Sequence, residues 1–361
     1  MQRRCRLTSN NVLHLSDIED DVKKAFSVIS NHWRNATGEA EQKIAQIQTI
    51  PFSLRDGSSE IVAIDGSYAP VYRMSSLWVV AIRAVALTYE FGEDQSYNIK
   101  ACDVNEGAQL ITTDKNLASE IDEFAIELQS LTARRSGEAP KRMAAYARIL
   151  REFELACWVA KKRTGVTIVL DGTLTAPPLQ AIKIKVDELI DACHRNGHAL
   201  VGISKDSNLN LFGLSMTDEE LLKYVTDDGL FYVVPPQPRR TDLGPKGTTF
   251  FVKYHPDAPK WFRTDIISKG AEPAEIFGGL AQFARSQLCL GYIYPLAEAH
   301  KAAVELRRFP GLYDDLLFRV AAETGIDPAE AVWGRTNIDG RRRDAFHAYL
   351  DMMSKSGARK R

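Results

Sequence analysis

Apolar and polar positions alternate along this chain in two rhythms, one helical and one extended. Residues 17–31 place Val22, Ala25, Phe26 and Ile29 at helical spacing, and residues 39–48 continue with Ala40, Ile44 and Ile47, which predicts one or two packing helices. Pro51 and Asp56-Gly57-Ser58-Ser59 break that pattern. The run Ile61-Val62-Ala63-Ile64 then reads as a buried strand that ends in Asp65-Gly66-Ser67. Leu77–Leu87 is too apolar for a surface and reads as a long central strand, and residues 97–104 supply a third. Three consecutive strands joined by short turns predict an antiparallel meander.

Helical periodicity returns at residues 116–131, through Leu117, Ile121, Phe124, Leu128 and Leu131. After the break at Ser136–Pro140 it resumes at residues 141–163, where Ile149, Phe153, Ala156, Cys157 and Ala160 form one apolar stripe. The strand Val166–Leu170 follows and delivers Asp171-Gly172-Thr173, the same ending as the first strand. A helix at 179–195 and the strand Ala199–Ser204 come next; strand, helix, strand in this order predicts a parallel crossover pair. A short helix at 217–225 precedes strand candidates at Leu230–Val234, Thr248–Tyr254 and Lys260–Ile267. Helices are expected at 273–290, 295–307 and from 312 onward, with a charged stretch around Arg341-Arg342-Arg343.

Composition narrows the class. The 361 residues are 45% hydrophobic and 26% charged, which fits a folded globular chain. A net charge of −1 gives no global basic signature for nucleic acid, although a groove needs only a local basic patch. The five cysteines are scattered and form no CxxC pair, as expected of free thiols in a reducing compartment. No apolar run suits a signal peptide or a membrane span, so a cytoplasmic location without a membrane role is expected.

Two strand-end carboxylates suit a hard divalent cation, because Mg²⁺ and Mn²⁺ prefer carboxylate oxygen. Asp-Gly is also a favoured hairpin turn, so the weight lies in its repetition after two buried strands. A third carboxylate is available from the helix before Asp171. Glu152 lies beside the apolar stripe at 149, 153 and 156, whereas Glu154 points away from it, which makes Glu152 the better candidate. Lys205 follows the strand after the crossover and should emerge at the same end as the aspartates, either to hold a phosphate or as a solvated turn residue. Pro295 marks a helix start that places His300 on the first turns, as a packed or solvated residue, a proton carrier or a ligand.

Taken in order, these pieces resemble the NurA family of nucleases, the partners of HerA-type ATPases in DNA end processing. The matching residues are Ile64-Asp65-Gly66-Ser67, Glu152 followed by Leu155-Ala156, Leu170–Leu174, Gly202–Asp206, Trp261-Phe262-Arg263, and Tyr294-Pro295-Leu296 with Ala299-His300-Lys301. Asp265 stands where the family pattern leads us to expect glutamate, and Thr173 where serine is commoner. The resemblance implies an α/β fold with an RNase H-like mixed sheet, three antiparallel strands then parallel strands, flanked by helices with extra helical and β decorations. It implies a nuclease domain at 56–310 and does not cover the N-terminal extension (1–55) and the C-terminal tail (311–361), which are helical by periodicity. Asp65, Glu152, Asp171 and His300 would be the metal-site residues, with Tyr294 and Lys205 nearby, around two Mn²⁺ or Mg²⁺ ions. The expected activity is a 5′–3′ exonuclease and single-strand endonuclease on DNA, in a homodimer seated on a HerA-type hexameric ATPase. The alternatives are a non-catalytic adaptor on such a ring, or an RNase H-like nuclease acting on RNA or recombination intermediates.

Overall fold

The computed structural model describes residues 15–325 apart from 58, 74–76, 93, 95, 133–138, 175–178, 215, 226–227, 237–246 and 309. The described strands form one nine-stranded mixed sheet. One end of the sheet is an antiparallel meander of long strands, β2 (Ser59–Arg73), β3 (Leu77–Phe91) and β4 (Tyr97–Thr112). Strand β5 (Thr167–Asp171) lies parallel to β2, and β6 (Ala199–Ser204) lies parallel to β5. This order of strands, three antiparallel and then two parallel, is RNase H-like, as expected. Beyond β6 the sheet continues antiparallel through β9 (Phe262–Ile267), β8 (Thr248–Lys253), β7 (Phe231–Val233) and β1 (Thr49–Pro51).

Strand alternation sorts the core into two layers. Val62, Ile64, Ile168 and Leu170 pack with Phe153, Ala156 and Ala160 of α4 (Ala139–Lys162) and with Ile182 and Leu189 of α5 (Gln180–Asn196). Ile61, Ala63, Val169 and Val201 face the other way, onto Phe277 and Leu280 of α7 (Pro273–Gln282) and Leu296 and Ala299 of α8 (Tyr294–Val304). The two parallel strands carry apolar residues on both faces because helices cover both.

Several expectations change. The chain does not leave the sheet at Asp65: β2 runs on to Arg73, still paired with β3 through Asp65↔Val85 and Gly66↔Ala84. What ends there is the parallel pairing, whose last pair is Ile64↔Leu170. Asp65-Gly66 is therefore no hairpin turn. The first helical segments are one helix, α1 (Leu15–Ile44), but Val22, Phe26 and Ile29 are exposed, and the packing is done by Ala40, Ile44 and Ile47 against Phe212, Leu222 and Trp261. The segment 116–131 is split at Asp122 into α2 (Lys115–Ile121) and α3 (Glu123–Thr132). Asp122 turns extended there and its carboxylate caps the next helix at the Ala125 N–H. The short helix is α6 (Asp218–Leu222), and α7 stops at Gln282, eight residues before the expected end. Helix α9 (Pro310–Glu323) opens the tail, while the Arg341–Arg343 stretch lies outside the described residues. Cys102, Cys157, Cys193 and Cys289 are free thiols. No helix among the described residues is long and apolar enough to cross a membrane.

Candidate metal centre

The site forms where β5 stops and β2 continues. Asp65 and Asp171 are each one residue past the Ile64↔Leu170 pair, so two in-register parallel strands set their carboxylates side by side. By alternation both project on the α7/α8 side. Helix α8 answers from that side: His300 Nδ1 is 2.6 Å from Asp65 Oδ2. Asp65, Asp171 and His300 bring one ligand atom each to within 4.8 Å of one another, a group that could hold a metal ion. Two carboxylates and an imidazole are a donor set suited to Mn²⁺. Ser67, next on the same face of β2, has a buried hydroxyl without a hydrogen-bond partner among the described residues. The donor chemistry and this orphaned hydroxyl both fit a bound hydrated cation.

Asp171 also accepts Lys205 Nζ at 2.5 Å and the Tyr292 hydroxyl at 3.1 Å. Lys205 emerges just past β6 and rests over the Tyr292 ring, 5.3 Å from its centroid. Lys260 holds the backbone behind it by donating to the Lys205 carbonyl, and is itself 3.3 Å from Glu219. The turn after Asp171 is fixed as well. Gly172 N–H donates to Ile203 O at 2.8 Å, and Leu174 N–H donates to buried Asp265 at 3.1 Å. Asp265 in turn takes both Arg263 Nε and Nη2 at 3.1 and 2.9 Å and the Thr249 hydroxyl at 2.8 Å. A side chain at Gly202 would strike this turn, its Cβ lying 2.7 Å from Gly172 O.

Glu152 reaches the site from the opposite face of the sheet. It is buried on α4 beneath Gly66, and a Cβ at Gly66 would lie 2.5 Å from Glu152 Oε1. The glycine is thus required by close approach of a carboxylate. Arg148, one turn earlier on α4, is ion-paired with Glu152 and is 3.8 Å from Asp65. Burial pushes the Glu152 carboxyl up to about 8, and the negative charges of Asp65 and Asp171 push the same way against the Arg148 guanidinium. Burial and then Asp171 likewise raise Asp65, against its bonds from His300 and the Gly66 N–H. Glu154 sits outside this group, paired with Arg151 at 3.1 Å and near Asn105.

Of the six residues singled out from the sequence, the structure gathers Asp65, Asp171, His300 and Lys205 directly and Glu152 from below. Tyr294 lies apart: its ring stacks on Tyr97 with centroids 5.3 Å apart and meets Tyr89 edge-on. The tyrosine that touches the carboxylates is Tyr292, which sequence reasoning passed over, as it did Arg148. The signal for Arg148 was its i, i+4 spacing from Glu152. Tyr292 carried only its place before the Pro295 helix start.

Two strand-end carboxylates and a helix imidazole that could share a metal ion, set on an RNase H-like sheet, are the class of site this fold presents. The particular family follows from the sequence: a NurA domain profile matches residues 59–305, and the chain belongs to the NurA family. No curated protein matches it. Its fold is similar to the NurA nuclease from Sulfolobus solfataricus, at 16% identity and a TM-score of 0.58 over 85% of this chain and 98% of that one. It is also similar to a NurA structure bound to dAMP and manganese, at 13% identity and a TM-score of 0.50 over 81% and 94% of the two chains.

Proposed function

We propose that this protein is a divalent-metal-dependent deoxyribonuclease that trims DNA from 5′ ends and cuts single strands. The observation that carries the reading is the in-register pair Asp65 and Asp171 meeting His300 within 4.8 Å. Asp65, Asp171 and His300 would hold manganese or magnesium, and Glu152 would join at a second ion. The bound cation supplies Lewis-acid activation of water and neutralises charge on the phosphate. The protein groups do the rest. Asp171 is oriented by Tyr292 and by Lys205, and Lys205 is placed to exchange that carboxylate for a substrate phosphate oxygen. With Nδ1–H donated to Asp65, His300 would turn its Nε2 lone pair towards the cation.

In this reading residues 56–310 are the catalytic unit, and the protein works in the cytoplasm as a homodimer fed with DNA by a HerA-type hexameric ATPase. The near-zero net charge supports delivery by a motor, because it provides little long-range attraction for a polyanion. The test is cleavage of 5′-labelled single-stranded DNA, duplex DNA and RNA with Mn²⁺. Asp65→Asn or Asp171→Asn should lower DNA cleavage by on the order of a thousandfold. Full activity in either variant, or a preference for RNA, overturns the reading.

A further inference from the structure

Glu152 does not belong to the group of ligand atoms formed by Asp65, Asp171 and His300. What stands between it and Asp65 is a cation that the protein itself provides. A single Arg148 nitrogen, Nη1, is bonded to Glu152 Oε1 and lies 3.8 Å from Asp65 Oδ1. A guanidinium cannot be neutralised by losing a proton under ordinary conditions, so its competition with a metal ion is charge against charge.

We propose that Arg148 divides the metal centre into two unequal sites. The first divalent cation binds at Asp65, Asp171 and His300 without disturbing Arg148. A second, between Asp65 and Glu152, binds only by displacing the guanidinium. Gly66 makes the arrangement possible, since a Cβ there would meet Glu152 Oε1 at 2.5 Å and Arg148 Cγ at 3.1 Å. The Arg148 side chain is one-quarter exposed, which leaves it a way out towards solvent or an incoming phosphate. Entry of the second ion and release of Arg148 are then one event, and the freed guanidinium becomes available to the substrate. Arg148 is in this sense a positioning residue for metal, and the inference rests on the reading of the site as a divalent-metal centre.

The test counts ions, independently of cleavage, by Mn²⁺ titration of the full chain at fixed ionic strength, followed by the paramagnetic signal of free Mn²⁺ and by calorimetry. Wild type should bind in two steps, the second at least roughly tenfold weaker than the first. In Arg148→Gln the second step should tighten roughly tenfold while the first stays within about threefold. Arg148→Lys keeps the charge and should keep the second step weak. Should Arg148→Gln not fold, Glu152→Gln decides: it should abolish the second step and spare the first. A single common constant in wild type, an unmoved second step in Arg148→Gln, or loss of the first step in Glu152→Gln overturns the division and leaves the metal centre standing. No Mn²⁺ binding by wild type overturns both.

Discussion

Helices α4 and α8 press on the same stretch of β2 from opposite faces, yet they deliver charge in opposite ways. From α4 come Glu152 and Arg148, locked together beneath Gly66, with Glu152 fully inside the protein. From α8 comes His300, with half of its side chain open to solvent. A buried carboxyl needs a partner close by, and in the metal-free protein Arg148 is that partner. An exposed imidazole can exchange partners at little cost. In the metal-free protein the α4 side is therefore closed on itself by Arg148, while the α8 side stands open to solvent.

The strongest way to break this contrast is at Gly66. A Gly66→Ala methyl would sit 2.5 Å from Glu152 Oε1, so the α4 side must give way. Loss of about 1–3 kcal/mol of stability is expected from such overpacking, together with a drop in nuclease rate on the order of a hundredfold as Glu152 is displaced. Normal melting and normal cleavage rates would show that α4 does not depend on bare backbone there. On the open side His300→Gln should slow cleavage about ten- to a hundredfold and leave the melting temperature in place, since little packing is lost. A large fall in melting temperature would show that His300 carries packing instead.

A pH series sharpens the same contrast with a smaller effect. Glu152 in the unfolded chain ionises near 4.5, whereas in the metal-free native protein it holds its proton to about 8. Below the lower value both states are protonated and Glu152 contributes nothing to the pH dependence. Between the two values only the native state keeps the proton, so the metal-free protein loses stability as pH rises, until about 8. Glu152→Gln removes this slope. Its stability relative to wild type should therefore grow between about pH 5 and about pH 8 and then level off, as read from denaturant titrations with a chelator present. A constant difference would mean that Arg148 fully compensates the buried charge. The smallest effect separates two neighbouring tyrosines. Tyr292→Phe removes a bond to Asp171 and should cost about tenfold in rate, against less than about twofold for Tyr294→Phe, whose ring stacking survives.

Much of this was legible in the sequence, and the pieces that were not have physical reasons. The parallel crossover from β5 to β6 followed from strand, helix, strand order, and the meeting of the two aspartates was suggested by the Asp-Gly ending repeated after two buried strands. The continuation of β2 past Asp65 was hidden. Asp-Gly-Ser imitates a turn, and the reason for the glycine is a carboxylate that arrives from 86 positions later along the chain. Glu152 could be preferred over Glu154 because helical spacing sets it beside a buried stripe. Periodicity failed for α1 because it identifies an apolar face without naming what covers it: Val22, Phe26 and Ile29 lie on the same helix as Ala40 and Ile44 but are left exposed among the described residues. Tyr292 escaped notice because its place beside Asp171 depends on how the loop from Phe283 closes, with Gly291 N–H on Ala284 O and Tyr294 N–H on Phe283 O.

The overrun of β2 has a consequence for traffic. Beyond Ile64 one flank of the strand remains walled by β3, pair after pair as far as Arg73↔Trp78, while on the other flank the pairing with β5 has already ended. Within the plane of the sheet, Asp65 is thus a doorway hinged on one side. Under the proposed function a nucleic-acid strand would reach it from the side of Asp171 and Lys205, an approach set by the unequal lengths of two neighbouring β-strands.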